Sequence, residues 1–329
     1  MKNILITAVF SLLFHCVAAQ NGEEAFTFLR FPASARINAL GGNQVSLVER
    51  DPALIFHNPA LLGGEMDGMI NLNYMNYISD INTGSALFTK AWGEKGAWGV
   101  GAGFISYGNF KQTTADRFVE GEFSVKDISL NAFYSRELSE KWRGGLSIQF
   151  LYSSLERYTS LGLAVDAGLS YYDSQNGFSA AVVLKHIGAQ LKAYDDKRQK
   201  LPWDIQLGVN KKVAHAPFRL SLTAMYLNQW TFDYVDATNK EYNGDTFLQT
   251  LFKHFVVGVD FIPTENFWLG IGFNPKTSLD MKLQGGNALS GFSAGAGITV
   301  KRFNVGVSVA KYHPAAMSLM VSVSTALTH

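Results

Sequence analysis

From residue 69 almost to the end of the chain, apolar side chains alternate with small or polar ones. In one such stretch Leu146, Ile148 and Phe150 alternate with Ser147 and Gln149. A period of two is typical of a β-strand with one apolar and one polar face. Fourteen stretches of this kind follow one another, and each is about as long as the 9–11 residues that a tilted membrane strand needs. The pattern predicts an all-β chain of fourteen antiparallel strands.

The lengths of the connections between these stretches alternate as well. Connections after even-numbered strands are short, whereas many after odd-numbered strands are long, namely 108–125, 188–201, 228–253 and 275–290. A transmembrane barrel has short periplasmic turns and longer outer loops, while a soluble β-sandwich, the alternative, gives no reason for the alternation. We therefore predict an outer-membrane β-barrel over residues 69–326, integral to the membrane, with both termini periplasmic.

The composition supports a barrel rather than other membrane or nucleic-acid-binding classes. Charged residues make up 17% of the chain, and the mean hydropathy of +0.04 is too low for a helical membrane protein. In a barrel with an apolar outer face and a polar inner face, the two contributions would cancel and give a mean hydropathy near zero. Lys and Arg total 28 against 27 Asp and Glu, so the net charge gives no reason to expect nucleic acid as a partner.

Residues 1–19 have the features of a signal peptide. Lys2 precedes an apolar run over 4–14, and the small residues Ala18 and Ala19 offer a cleavage site before Gln20. The alternative is a lipoprotein signal around Cys16, although the residues before it are the large Phe14 and His15. A chain that begins at Gln20 would contain no cysteine.

Residues 20–68 do not follow the strand pattern, and we interpret them as an N-terminal plug. Gly41 and Gly42 predict a turn, and Asn58-Pro59-Ala60 repeats the arrangement of Asp51-Pro52-Ala53 seven residues earlier. In each unit a polar N-cap precedes a Pro at the first helical position. Two short helical turns would form a compact plug that enters the lumen from the periplasmic side. A fourteen-stranded barrel is wide enough to need one.

No motif in the chain supports a catalytic, cofactor-binding or metal-binding residue. Residues 291–295 read G-x-S-x-G, but a nucleophile elbow needs a strand, a sharp turn and a helix, and here the period of two continues after Ser293. The seven histidines lack metal-ligand spacing. Asp166, Asp204 and Asp260 fall on polar strand faces, where they would face the lumen and could bond the plug. We expect a protein that is not an enzyme and uses no cofactor.

The stretches FLRFPASARINALGGNQVSL, NPALL and NLNYMNYISDIN resemble the start of FadL-like outer-membrane proteins. More closely, they resemble the PorV/PorQ family of the type IX secretion system, and the PorQ branch in particular. The resemblance implies a fourteen-stranded barrel behind a plug, in the outer membrane of a Gram-negative bacterium. It also implies a non-enzymatic role in the attachment complex, with PorU and PorV in the same complex and a PorZ-like surface protein, which binds anionic lipopolysaccharide, as the partner held.

Two functional hypotheses follow. In the first, the barrel anchors the surface attachment complex that processes and attaches secreted proteins, and its outer loops hold the partner. The candidate partner-binding residues are the loop aromatics Trp230, Phe232, Tyr234 and Tyr242. In the second, the barrel is a FadL-type channel for hydrophobic small molecules, with the plug as its gate. Contact with outer-membrane lipid or lipopolysaccharide is expected in either case, and the charged run 192–200 could contribute to it or be a solvated loop.

Overall fold

A computed structural model describes residues 24–113, 119–195, 197–232, 246–282 and 289–327. Fourteen antiparallel strands close into a single barrel, in which every strand pairs with its neighbours in sequence and the first pairs with the last. Closure is direct, because Met69 lies opposite Ala326. The barrel removes the open strand edges that an unclosed sheet would leave. The predicted fold class, an all-antiparallel fourteen-stranded barrel behind a short N-terminal segment, is confirmed.

The strands differ widely in length. Their bounds are β1 Met69–Ile78, β2 Ile81–Trp92, β3 Gly96–Thr113, β4 Val119–Glu137, β5 Trp142–Leu155, β6 Tyr158–Asp173, β7 Phe178–Lys192, β8 Asp204–Lys212, β9 Phe218–Ala224, β10 Phe255–Thr264, β11 Phe267–Phe273, β12 Phe292–Val300, β13 Phe303–His313 and β14 Ala316–Ala326. One side of the barrel, built from β3 to β7, is therefore tall, and the other, built from β8 to β12, is short.

The wall has an apolar outer face and a polar inner face, as the period of two predicts. Leu146 and Ile148 of β5 are 54% and 56% exposed on the outside, whereas Ser147 and Gln149 between them are buried. Aromatic pairs lie at the rim formed by the short turns, where Trp92 contacts Tyr134 and other rings follow around the barrel. Amphipathic rings favour such membrane interfaces.

Two of the predicted long loops are partly strand. β3 and β4 continue as a paired hairpin through most of 108–125, and β7 extends to Lys192. This part of the hairpin lacks a regular apolar face, and contacts between the two strands stabilise it. Phe110 stacks on Phe123, with ring centroids 5.5 Å apart. The prediction that 108–125 is a connection between strands is therefore wrong for most of its length, because a paired ribbon beyond the membrane needs no continuous apolar face.

The helices are short and lie in the N-terminal segment and at the long-loop rim. The α-helices are α1 Ala35–Ala39, α2 Phe247–Lys253 and α3 Pro275–Lys282, and the 3₁₀ helices are Thr27–Arg30, Pro52–Phe56, Pro59–Leu61 and Gly64–Met66. In the described part of the chain, no helix is both long and apolar enough to cross a membrane. The N-terminal segment from Glu24 to Gly68 fills the lumen, and we call it the plug.

Candidate functional site

The two Pro-containing units of the plug form the capped turns that the sequence predicts. The Asp51 carboxylate accepts a hydrogen bond of 3.0 Å from the Ala53 N–H, and the Asn58 side chain accepts one of 2.9 Å from the Ala60 N–H. A Pro occupies the first turn in each case. Both turns are 3₁₀ helices, whose N-terminal N–H groups the polar side chains satisfy.

The Asn58 turn is seated on glycines of the barrel wall. A Cβ atom on Gly145 of β5 would lie 2.3 Å from the Ala60 nitrogen, and one on Gly168 of β6 would lie 2.0 Å from the Asn58 side-chain oxygen. The Asn58 amide also donates to the Val45 carbonyl at 2.7 Å. Lumen-facing glycines therefore act as glycine sockets, meaning positions where the missing side chain leaves room for plug atoms. They do not widen an open channel.

The Gly41–Gly42 turn is a second point at which the plug is bound to the wall. Both residues have positive φ, +94° and +88°, a conformation that favours glycine. The Gly41 N–H donates to the Ser293 hydroxyl at 3.0 Å, and that hydroxyl donates to the Ala39 carbonyl at 3.0 Å. Ser293 lies within strand β12 and faces the plug, as the strand interpretation of the G-x-S-x-G sequence predicts.

An ion network joins the plug to the wall on the short side of the barrel. The Arg36 guanidinium lies 2.9 Å from the Glu49 carboxylate and 3.3 Å from that of Asp260 on β10. Arg219 on β9 contacts the same two acids at 2.7 Å each. Burial opposes the charged form of Glu49, but Arg219 and Arg36 outweigh it and lower the Glu49 pKa to about 2. Each acid is thus held between two guanidinium groups.

Arg36 also lies over an aromatic ring. Its guanidinium carbon is 4.1 Å from the centroid of the Trp268 ring, and the residue is 3% exposed. A desolvated cation over an indole face contributes about 2 kcal/mol. Sequence reasoning identified Asp260 as a possible plug contact but missed its partners, because no spacing relates residues 36, 49, 219 and 260.

The plug spans the whole depth of the lumen. The backbone of Glu24 forms an isolated parallel bridge with that of Lys200 in the β7–β8 connection, at the long-loop end, and Phe26 packs against Gly162 near the start of β6. From there the chain descends to Gly68 at the short-turn end. The sequence predicts a plug that enters the lumen from the periplasmic side, whereas Glu24 lies at the opposite end of the lumen from Gly68. The difference arises because Phe26 and Phe28 bury their rings among Leu151, Ala164 and Leu201 of the wall and loop.

His57 is a structural residue in the centre of the plug. Its Nε2 accepts from the Ala33 N–H at 3.3 Å, which leaves the proton on Nδ1 to donate to the Asn43 side-chain oxygen at 2.9 Å. Burial lowers the His57 pKa well below its usual value. Across the described ranges, no group of three or more His, Cys, Asp or Glu side chains could hold a metal ion.

The cavities beside the plug lie on its two sides. A vestibule of about 1080 Å³ opens at the short-turn end, lined in part by Arg36, Arg50 and Trp268. Cavities of about 80 and 240 Å³ lie toward the long loops. They share no lining residue with the vestibule.

The loop aromatics singled out from the sequence lie in different surroundings. Trp230 is 52% exposed and rests on His254, with ring centroids 4.5 Å apart. Phe232 is half-buried and points toward Tyr226 and His254. Tyr234 and Tyr242 lie outside the described residues. The structure therefore places one of the four, Trp230, on the described surface.

No protein-family model matches the chain, and no curated protein matches it either. Solved structures do match. The chain is similar to the toluene transporter TodX of Pseudomonas putida, at 12% identity and a TM-score of 0.56 over 90% of this chain and 98% of that one. It is also similar to the toluene transporter TbuX of Ralstonia pickettii, at 12% identity and a TM-score of 0.54 over 92% of this chain and 100% of that one.

A FadL homologue of Pseudomonas aeruginosa is similar as well, at 10% identity and a TM-score of 0.51 over 90% of this chain and 98% of that one. At such identities the likeness concerns the fold. The match extends over nearly the whole of each neighbour, so it includes the closed barrel rather than a few hairpins. The chain has the fold of the FadL-like outer-membrane barrels.

Proposed function

We propose that this protein is a non-enzymatic outer-membrane anchor of the type IX secretion system, whose outer loops hold a PorZ-like surface partner together with PorU and PorV. The sequence resemblance of the plug and first strand motivates the proposal. The structural observation that supports it is the plug, which occupies the lumen and is fixed to the wall by close packing on glycines and by ion pairs. A barrel that serves as an anchor needs a rigid, sealed wall rather than a passage.

The way in which the plug is attached to the wall favours an anchor. The plug is fixed by glycine sockets at Gly145 and Gly168 and by the ion network around Asp260. The small cavity near His57 is mixed in character, with polar side chains such as Asn73 and Asn131 on the wall and the apolar Phe28, Phe31 and Phe56 on the plug. A site for a hydrophobic ligand would be lined mainly by apolar side chains. The support for the anchor is therefore the fixed plug and not the lining of this cavity.

Co-purification from native membranes in mild detergent tests the proposal. We expect the wild-type barrel to recover a PorZ-like surface protein, and the recovery of the barrel alone would contradict the anchor. Trp230→Ala should reduce the yield of the partner if this exposed ring is part of the interface. Trp92→Ala is the matched control, because Trp92 is 64% exposed at the opposite rim and its loss should leave the partner bound.

A second candidate is a channel for hydrophobic small molecules, and the fold comparisons favour it more directly. TodX and TbuX are toluene transporters, and the third neighbour is a FadL homologue. None of these three is named for secretion. If the same fold serves the same task here, the plug must move to open the lumen.

A strain that lacks this protein distinguishes the anchor from the channel when toluene uptake and the surface display of secreted proteins are both measured. Loss of uptake of radiolabelled toluene, with secreted proteins still displayed, would favour the channel. Loss of display, with uptake unchanged, would favour the anchor. Purified protein in liposomes gives an independent answer, because an anchor with a fixed plug should not raise toluene flux above that of protein-free liposomes.

A further inference from the structure

Helix α2, on the short side of the barrel, carries apolar side chains on its exposed side, which we call its outward face. Phe247, Leu248 and Phe252 are 71%, 62% and 58% exposed, whereas Lys253 is 1% exposed. At 100° per residue these three side chains share one face of the helix, and Lys253 lies opposite them. A surface helix normally shows the reverse arrangement, with its apolar stripe toward the core.

The orientation of α2 is fixed by its polar side. The Lys253 ammonium lies 3.0 Å from the Asp280 carboxylate of α3, with its side chain fully buried. It also lies 5.8 Å from the centre of the Phe232 ring. A buried charge must keep its partner, so α2 cannot turn its apolar face inward without breaking this pair. The Lys253–Asp280 pair therefore keeps the apolar face of α2 exposed.

The apolar face of α2 continues the outer face of the barrel. α2 ends at Lys253 and β10 begins at Phe255. Val257 and Val259, the outward residues of β10, are 41% and 38% exposed, and Leu220 and Leu222 flank them on β9. The apolar residues of α2 therefore come immediately before a strand of the wall whose apolar residues face lipid, at the long-loop end of that strand.

The wall is low on both sides of β10. β10 itself has 10 residues, but its first residue, Phe255, pairs with Ala224 at the end of β9, so its extra length lies at the short-turn end. β9 and β11 each have 7 residues, so at about 3.4 Å per residue each is roughly 24 Å long. A tilt of about 40° reduces the height to roughly 18 Å, whereas the apolar band of an outer-membrane barrel is about 25 Å tall. A helix about 10 Å across would supply the missing height.

We propose that the outward face of α2 lies against the acyl chains of the outer membrane and completes the apolar band above β9 to β11. The occupant of this face is lipid, because the face continues a lipid-facing wall and makes up the deficit in that wall's height. α2 thus acts as an interfacial helix that belongs to the barrel rather than to a partner's binding surface.

Spin labels on α2 test the proposal. Cys16, the only cysteine of the chain, is replaced by Ser, and single nitroxides are attached in the variants Phe252→Cys and Leu248→Cys. The lipid control is Val259→Cys, and the water control is Ser139→Cys in the exposed β4–β5 turn. Collisions with oxygen and with a water-soluble nickel chelate are measured in phosphatidylethanolamine–phosphatidylglycerol vesicles.

We expect both α2 labels to resemble the Val259→Cys control, with high oxygen and low nickel accessibility. Nickel accessibility as high as at Ser139→Cys would overturn the proposal, because the face would then be in water. Low accessibility to both reagents would also overturn it, because protein would then cover the face. Spin–spin broadening that disappears on dilution with unlabelled protein would identify a second copy as that cover. The two labelled positions guard against a local distortion at one of them.

Discussion

The Asp260 carboxylate on β10 lies 3.3 Å from the Arg36 guanidinium in the plug. The two residues are 224 positions apart (260 − 36), and barrel closure alone brings them together. Both are almost fully buried. The pair therefore joins the plug to the wall at a largely dehydrated point beside the vestibule.

Removing the Asp260 charge should loosen the plug. Asp260→Asn leaves Arg36 and Arg219 to share Glu49 alone, and breaking a buried pair costs about 3–5 kcal/mol. We expect hydrogen–deuterium exchange in the plug peptide around Arg36 to rise by a corresponding factor. Asp127→Asn is the control, because Asp127 bonds Ser153 and Tyr107 on the wall and not the plug. Equal exchange in the two variants would refute the role of the network.

A methyl group at Gly145 should unseat the Asn58 turn. Its Cβ would lie 2.3 Å from the Ala60 nitrogen, and the obstacle is backbone that cannot rotate away. Overpacking of this kind costs about 1–3 kcal/mol or more. Gly145→Ala should therefore increase protease cleavage within 52–66 in folded barrels. Gly64→Ala is the matched control, since nothing lies within 4 Å of its Cβ position, and cleavage there should match wild type.

Asp51 should make the plug less stable as the pH rises toward neutral. Burial raises the Asp51 pKa from 3.8 to about 6, so the folded state binds the proton more tightly than the unfolded chain does. The free energy of plug unfolding should therefore fall by about 3 kcal/mol between about pH 4 and pH 6. Hydrogen exchange of plug amides, corrected for intrinsic rates, measures the change.

Asp51→Asn should abolish this dependence, because the amide oxygen can still cap Ala53 and carries no charge. The variant should be more stable than wild type at pH 7 and similar to it near pH 4. Glu49 acts with the opposite sign, since its contribution is present above about pH 4.5 and is lost as the pH falls toward about 2. A slope in Asp51→Asn equal to that of wild type between pH 4 and 6 would contradict the assignment.

Ser293→Ala should weaken the plug and leave any hydrolysis unchanged. The substitution leaves the buried Gly41 N–H and Ala39 carbonyl without their shared partner, at about 1–3 kcal/mol. We expect faster amide exchange at Gly41 and the same background rate of ester hydrolysis as wild type. A hydrolysis rate that falls with the substitution would identify a nucleophile and contradict the strand interpretation.

The alternation of residues such as Leu146 and Ser147 determined the strands and their lipid-facing sides, because the period of two is a local property of the backbone. The caps at Asp51 and Asn58 were equally readable, since each satisfies an N–H two residues away. The sequence did not reveal how far β3 and β4 extend, because their outer ends are held by cross-strand pairs such as Phe110 and Phe123.

By itself, the sequence determined a fourteen-stranded barrel with capped turns ahead of it, because those features depend on neighbours within a few residues. Only the tertiary structure decided how the plug is held. The glycine socket at Gly145, the hydrogen bonds of Ser293 and the pairing of Asp260 with Arg36 join residues that lie far apart in the chain. Such contacts exist only after the barrel closes and brings its inner faces around the plug.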